Sequence, residues 1–277
     1  PDDREKLSPV EASAAILAHI RKSWNHTFAE NDSRLALEHQ EIFLTVPASF
    51  DAVARNLTVK AAEMAGLAKT TLLEEPQAAF YAWIDRTRGE WRNRVRVDDL
   101  IMVTDVGGGT TDLSLIKVTE TNGELSLERV SVGKHLLVGG DNMDLTLAYA
   151  VAGNMAAEGR KLDAHQMRGL CHGCRTAKEH LLINENADSY PITILGRGSR
   201  LIGNTIKTEL TRVQVESVLK KGFFPACDRN AQPLAERRTG MREMGLSYAS
   251  DPAITHHLAQ FLNQQDSSAS TFDTFVC

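Results

Sequence analysis

Apolar and polar positions along the first hundred residues switch between a helical and a strand period, which predicts alternating helices and strands. Ser8-Pro9 followed by Glu11 reads as a helix start, with serine as N-cap and proline at the first helical position. Val10, Ala14, Leu17, Ile20 and Trp24 then recur at helical spacing as one apolar face. Residues 41–46 are β-branched and apolar and stop at Pro47, the pattern of a buried strand that ends in a turn. Asp51 caps a second helix running to Met64, and Gly66 closes it as a left-handed stop. A short strand over 70–73 and a helix over 77–84, opened by Pro76, complete this half.

Further on the period becomes that of strands, over 100–105, 111–118 and 125–132. Gly107, Gly108 and Gly109 join the first two, and Asn122-Gly123 joins the second pair as a strong hairpin signal. A long helix over 141–158 follows a Gly139-Gly140 turn, and Met143, Leu145, Leu147 and Ala148 read as its core face. Helical spacing returns over 164–182, then strands over 190–195 and 200–206, then helices near 212–222 and 254–262. Residues 223–250 read as an irregular insertion, and no short-period repeat is present.

Composition narrows the class. With 277 residues, 42% hydrophobic and 24% charged, the chain is an ordinary globular α/β protein with length for two folded units. Its formal net charge of −5 supplies no general positive field, so neither nucleic acid nor a membrane surface is an expected partner. Five arginines and Trp91 lie within 86–96. Arginine forks with an aromatic platform are one way to hold nucleic acid, but the expectation here is a solvated connector between domains, broken by Gly89. No apolar run reaches the length of a membrane span, the first residues carry no signal-peptide core, and four cysteines make no disulfide framework. These features predict a cytoplasmic protein. The start at Pro1 and the Ser/Thr-rich stretch 267–274 suggest an excised piece of a longer one.

The chemistry concentrates in Asp105-Val-Gly-Gly-Gly-Thr-Thr-Asp112, set between two apolar strands. Three consecutive glycines leave room for a ligand to approach, and consecutive N–H groups can face an anion. Asp105 ends its strand where it can hold Mg²⁺, through water, and Thr110 offers a hydroxyl beside the same phosphate. No Gly-Lys-Ser/Thr closes the run, so it is not a Walker loop. A glycine-rich hairpin with no ligand fits the same residues. Cys171-His-Gly-Cys174 has zinc or thiol-redox spacing but no second ligand pair, and buried cysteines are the expectation. His256-His257 has no acidic neighbour in sequence and reads as a solvated pair.

Four segments in this order, Thr45-Val-Pro-Ala-Ser-Phe50, Glu74-Glu75-Pro76-Gln-Ala-Ala79, Asp105 to Asp112, and Val138-Gly-Gly-Asp-Asn-Met-Asp144, resemble the ATPase domain of the DnaK-type, seventy-kilodalton heat-shock chaperones. The family pattern reads T-V-P-A-x-F, N-E-P-x-A-A, D-x-G-G-G-T-x-D and G-G-x-x-x-D. The resemblance implies an actin-like ATPase (ribonuclease H-like) α/β fold that binds and hydrolyses Mg·ATP and couples this to gripping unfolded polypeptide with co-chaperones. It gives Asp105 the Mg²⁺ water shell and Glu75 a part in positioning metal and attacking water. Gly107, Gly108, Gly109 and Thr110 become the phosphate loop, Gly139 and Gly140 a phosphate-contacting turn, and Lys178 a nucleoside contact. Pro47 and Arg55 match a proline switch and its arginine partner, which relay nucleotide state.

Departures accompany the likeness. The sequence contains no D-x-G-T-x-x-S hairpin, no catalytic lysine before Pro9 and no late adenosine turn. Arg175 and Glu179 carry the opposite signs to the family's residues, Leu182 replaces a polar one, and Thr111 and Glu74 stand where an aromatic and an asparagine are usual. The resemblance implies a divergent bacterial branch, with 1–98 as the remainder of lobe I and 99–277 as lobe II, of which 160–250 forms the outer subdomain and insertion. The parent protein is then the ATPase and this piece alone is inactive. A degenerate scaffold and another actin-fold phosphotransferase, such as a sugar kinase or exopolyphosphatase, remain the alternatives.

Overall fold

The computed structural model describes residues 6–88, 90–195, 205–235, 250–265 and 272–276. Helix α1 (Pro9–Trp24) starts at the Ser8 N-cap, where Ser8 and Glu11 cap each other reciprocally. Strand β1 (Ile42–Val46) pairs in parallel with β2 (Thr70–Glu74). Between them runs α2 (Ala52–Met64), capped by Asp51 and closed by Gly66 at φ 82°. Helix α3 (Glu75–Arg86) follows β2 with no loop between them. The expected burial of the first strand fails: only Val46 is buried and Phe43 is exposed, because this two-stranded sheet has one covered face. Ile20 and Trp24, expected on the apolar face of α1, are exposed as well.

The central sheet has the order β5-β4-β3-β8, built from β3 (Leu100–Val106), β4 (Thr111–Thr121), β5 (Glu124–Val132) and β8 (Phe272–Val276). Asn122 and Gly123 both take positive φ, the geometry that lets a two-residue turn follow the twist of the strands. Alternation along β3 and β4 feeds two cores. Ile101, Val103, Ile116 and Val118 pack with Phe80 of α3 and with Trp91, while Met102, Leu113 and Leu115 pack with Phe261 of α7 (Ile254–Gln264). Trp91 is therefore core, so the expected connector is not solvated at this residue, and the Arg92 guanidinium covers its ring 4.5 Å from the centroid.

A third core joins α4 (Gly140–Ala157), α5 (Ala164–Ile183), the β6–β7 hairpin (Ser189–Ile194 and Ile206–Thr211) and α6 (Arg212–Val218). Cys174 sits inside it, and burial pushes its thiol up to about 12, so it packs as an apolar group. Leu145 is exposed, unlike its expected companions on the α4 core face. Two sequence expectations move. The second hairpin strand lies at Ile206–Thr211, after the expected 200–206, of which 200–204 fall outside the described residues. His256 is not a free solvated residue: its Nδ1 lies 2.8 Å from Asp251 Oδ2, and His257 Nε2 lies 3.0 Å from the Asp251 carbonyl. Gly89 and half of the insertion, 236–249, also lie outside the described residues, as does most of 267–274, although β8 begins at its end and pairs in parallel with β3. Among the described residues no helix is long and apolar enough to cross a membrane.

Candidate functional site: a glycine loop beside half-buried carboxylates

The turn between β3 and β4 is where backbone chemistry is left open. Gly107 N–H donates to the Thr110 carbonyl at 2.8 Å and closes the turn. Among the described residues the N–H groups of Gly108, Gly109 and Thr110 donate to no protein acceptor. A Cβ on Gly109 would meet nothing within 4 Å, so the tip is open on its outer side. Three successive unspent donors make a concavity for an anion.

The loop rests on the start of α4. Gly140 N–H donates to the Gly107 carbonyl at 2.9 Å, Asp141 N–H to the Gly108 carbonyl at 2.7 Å, and Gly139 N–H to Asn142 Oδ1 at 2.9 Å. The Gly139-Gly140 turn thus spends its amides on fixing the loop. A Cβ at Gly139 would lie 2.5 Å from the Gly107 oxygen and 2.6 Å from the Gly108 oxygen, so only glycine fits there. Thr111 Oγ1 donates to the Val138 carbonyl at 2.8 Å, which accounts for a small hydroxyl residue at a buried position.

Beneath the loop lie Asp105 at the end of β3, Glu75 at the start of α3, and Asp112 directly across the ladder from Asp105. Burial, and then the charges of Asp105 and Asp112, push the Glu75 carboxyl above its ordinary range. Burial and Asp112 raise that of Asp105. Asp112 is buried and paired with His135, whose Nδ1 lies 2.9 Å from Oδ1. Glu75 and Asp105 offer hard oxygen donors of the kind magnesium takes, and their mutual repulsion favours a cation beside them. Among the described residues no group of three or more His, Cys, Asp or Glu could enclose a metal by itself.

The raised carboxyls have a stability consequence with a definite sign. The folded protein holds protons that the unfolded chain has already released, so stability falls as pH rises from the ordinary carboxylate range through the raised values. Asp105→Asn is accordingly expected to melt higher than wild type at neutral pH without Mg²⁺, with the gain shrinking below about pH 4, where both chains are neutral at this position. Thermal melts at the two pH values check this; an equal or lower melting temperature at neutral pH refutes it.

The remaining candidates lie farther out. Arg55, on the first turn of α2, donates through Nη2 to Glu74 Oε1 at 2.6 Å and through Nε to the Phe50 carbonyl at 3.2 Å. Arg129 of β5 pairs with the same Glu74 oxygen. Glu74, unusual for the family pattern, is thus the clamp that ties the Pro47–Arg55 arm to the central sheet, one residue before Glu75. Lys178 is buried, with Nζ 2.6 Å from Asp144 Oδ1 and 3.4 Å from the Gly140 carbonyl. Its ammonium faces the protein. Sequence reasoning missed Asp112, His135, Asp144 and Arg129 as members of these clusters.

An acid-ended strand, an open glycine turn and a second strand, braced by a helix N-terminus, make a hairpin whose tip presents free N–H donors on an α/β scaffold. A family model described as Hsp70 protein matches residues 2–236, most of the sequence. The chain belongs to the Hsp70 family, chaperones with an ATP-binding domain of the actin-like ATPase fold.

Proposed function

We propose that this chain forms the central part of the ATP-binding and hydrolysing domain of a DnaK-type chaperone, with 1–98 in lobe I and 99–277 in lobe II. The observation that carries the reading is the set of three unspent N–H groups at Gly108, Gly109 and Thr110 beside the raised carboxyls of Glu75 and Asp105. Phosphoryl transfer needs positioning and charge stabilisation more than covalent chemistry. The loop amides would hold the terminal phosphates and stabilise charge on the transferring group. Asp105 would hold Mg²⁺ through its water shell, and Glu75, with a carboxyl tuned upward, would orient the attacking water.

Coupling to polypeptide binding would run through the arm that Glu74 clamps: movement of Glu75 with the nucleotide pulls on Glu74 and so on Arg55. Unfolded polypeptide clients and co-chaperones are then the partners of the longer protein. A second reading, a non-hydrolysing scaffold of the same fold, draws on Lys178, whose ammonium is spent on a buried pair with Asp144. Hydrolysis by the longer protein separates the two. Glu75→Gln should leave Mg·ATP binding within a few-fold of wild type and lower single-turnover hydrolysis by roughly 10²–10⁴-fold, the usual contribution of a positioned acid or base. An unchanged rate would remove Glu75 from the reaction and favour the scaffold.

A further inference from the structure

Between α4 and α5 lies a cavity of about 300 Å³ lined by Asp141, Asp144, Arg168, Cys171, His172 and Arg175. Arg168, His172 and Arg175 stand at i, i+4 and i+7 of α5, one stripe along one face of the helix. The charges in the cavity are unevenly matched. Asp144 is neutralised from behind by Lys178 at 2.6 Å, and Asp141 shares Arg175 at 3.6 Å, whose Nε also reaches Glu179 at 3.3 Å. Cys171 is kept as the neutral thiol, its pKa raised by burial and then by the charges of Asp144 and Asp141. Arg168 has no acidic partner and, like the His172 ring, makes no side-chain hydrogen bond or ion pair among the described residues. The free groups are therefore a guanidinium fork and an imidazole, one helical turn apart.

We propose that this cavity is an anion subsite that takes a phosphate group, bound by Arg168 with His172, and that it is distinct from the glycine loop. Arginine's planar fork matches two phosphate oxygens at once, and His172 can donate a further hydrogen bond from the same side. The cavity borders the loop, since the Asp141 carboxylate lies 3.7 Å from where a Cβ on Gly108 would be. The phosphate can therefore come from a free ion or from a bound nucleotide. The site needs neither Mg²⁺ nor Asp105, so it stands independently of the hydrolysis reading.

The test is a calorimetric titration of the 277-residue chain with inorganic pyrophosphate in EDTA at low ionic strength, repeated with Mg-free ATP. Arg168→Gln and His172→Gln, both at exposed positions, should keep the wild-type denaturation midpoint. Arg168→Gln is expected to weaken pyrophosphate binding about tenfold or more, Arg168→Lys by less, and His172→Gln by a few-fold, as befits loss of a charged fork, its conservative replacement and a single donor. Parallel weakening of ATP assigns the phosphate to a nucleotide, and weakening of pyrophosphate alone assigns it to a free ion. Absence of saturable pyrophosphate binding by the wild-type chain, or binding unchanged in Arg168→Gln, overturns the proposal. Loss of Mg·ATP binding with pyrophosphate binding intact would strike only the nucleotide reading.

Discussion

Gly139→Ala is expected to destabilise the chain by about 1–3 kcal/mol, the usual cost of forcing a methyl group into close-packed surroundings, and to disorder the glycine loop. The new Cβ would sit 2.5 Å from the Gly107 oxygen, 2.6 Å from the Gly108 oxygen and 2.8 Å from the Gly108 carbonyl carbon. All three are backbone atoms, so no side-chain rotation relieves the contact. Strain in φ plays no part, since Gly139 is extended at φ −167°. Relief requires the loop to lift from α4, which breaks the bonds from Gly140 N–H and Asp141 N–H to its carbonyls. Gly109→Ala is the matched control: nothing lies within 4 Å of its Cβ, and its stability should stay within about 0.5 kcal/mol of wild type. Urea unfolding of the two variants measures the difference. Equal stability of the pair would mean that the loop does not rest on α4 as described.

The second large effect concerns the Asp144–Lys178 pair. Removing one partner of a buried ion pair leaves the other charge uncompensated, at a cost of about 3–5 kcal/mol. Asp144→Ala should therefore unfold well before wild type in urea, because among the described residues the Lys178 ammonium then keeps only the Gly140 carbonyl at 3.4 Å. Lys178→Met should be similarly harmful. The double replacement Asp144→Leu/Lys178→Met removes both charges and fills the same space, so it should recover most of the loss. Additive damage in the double variant would contradict a direct pairing. Recovery would show that Lys178 serves first to join α5 to the start of α4, with any contact to a nucleoside secondary.

How much of this was legible depends on the range of each interaction. Local signals read well: Ser8 and Glu11 at the start of α1, Asp51 and Gly66 at the ends of α2, and Asn122-Gly123 in its turn all act within a few residues of their own backbone. The glycine loop was legible for the same reason, with Asp105 and the three glycines contiguous in sequence. Pairs brought together by folding were not. Asp112 meets His135 across 23 residues, Lys178 Nζ reaches Gly140 O across 38, and Glu74 takes Arg129 from a strand in another sheet. Strand β8 begins at the end of a Ser/Thr-rich stretch whose composition hides its pairing with β3. Trp91 read as part of a solvated connector because its burial depends on α3 and on side chains of β3 and β4 distant in sequence. The His256–Asp251 pair was within reach, since Asp251 stands five residues before it, just ahead of α7. Burial and backbone hydrogen bonds complete that pair: burial alone would raise the Asp251 carboxyl, but His256 and the N–H groups of Ala253 and Leu234 hold it below its ordinary range.

The open amides of the β3–β4 turn are expected to receive the phosphate end of a nucleotide beside Asp105. Amide proton–nitrogen correlation spectra of the chain, recorded as Mg·ATP is added, test it at the atoms concerned. The signals of Gly108, Gly109 and Thr110 should move together and saturate, and Asp105→Asn should reduce the response at equal Mg·ATP. Saturating shifts elsewhere in the chain while those three amides stay fixed would contradict it.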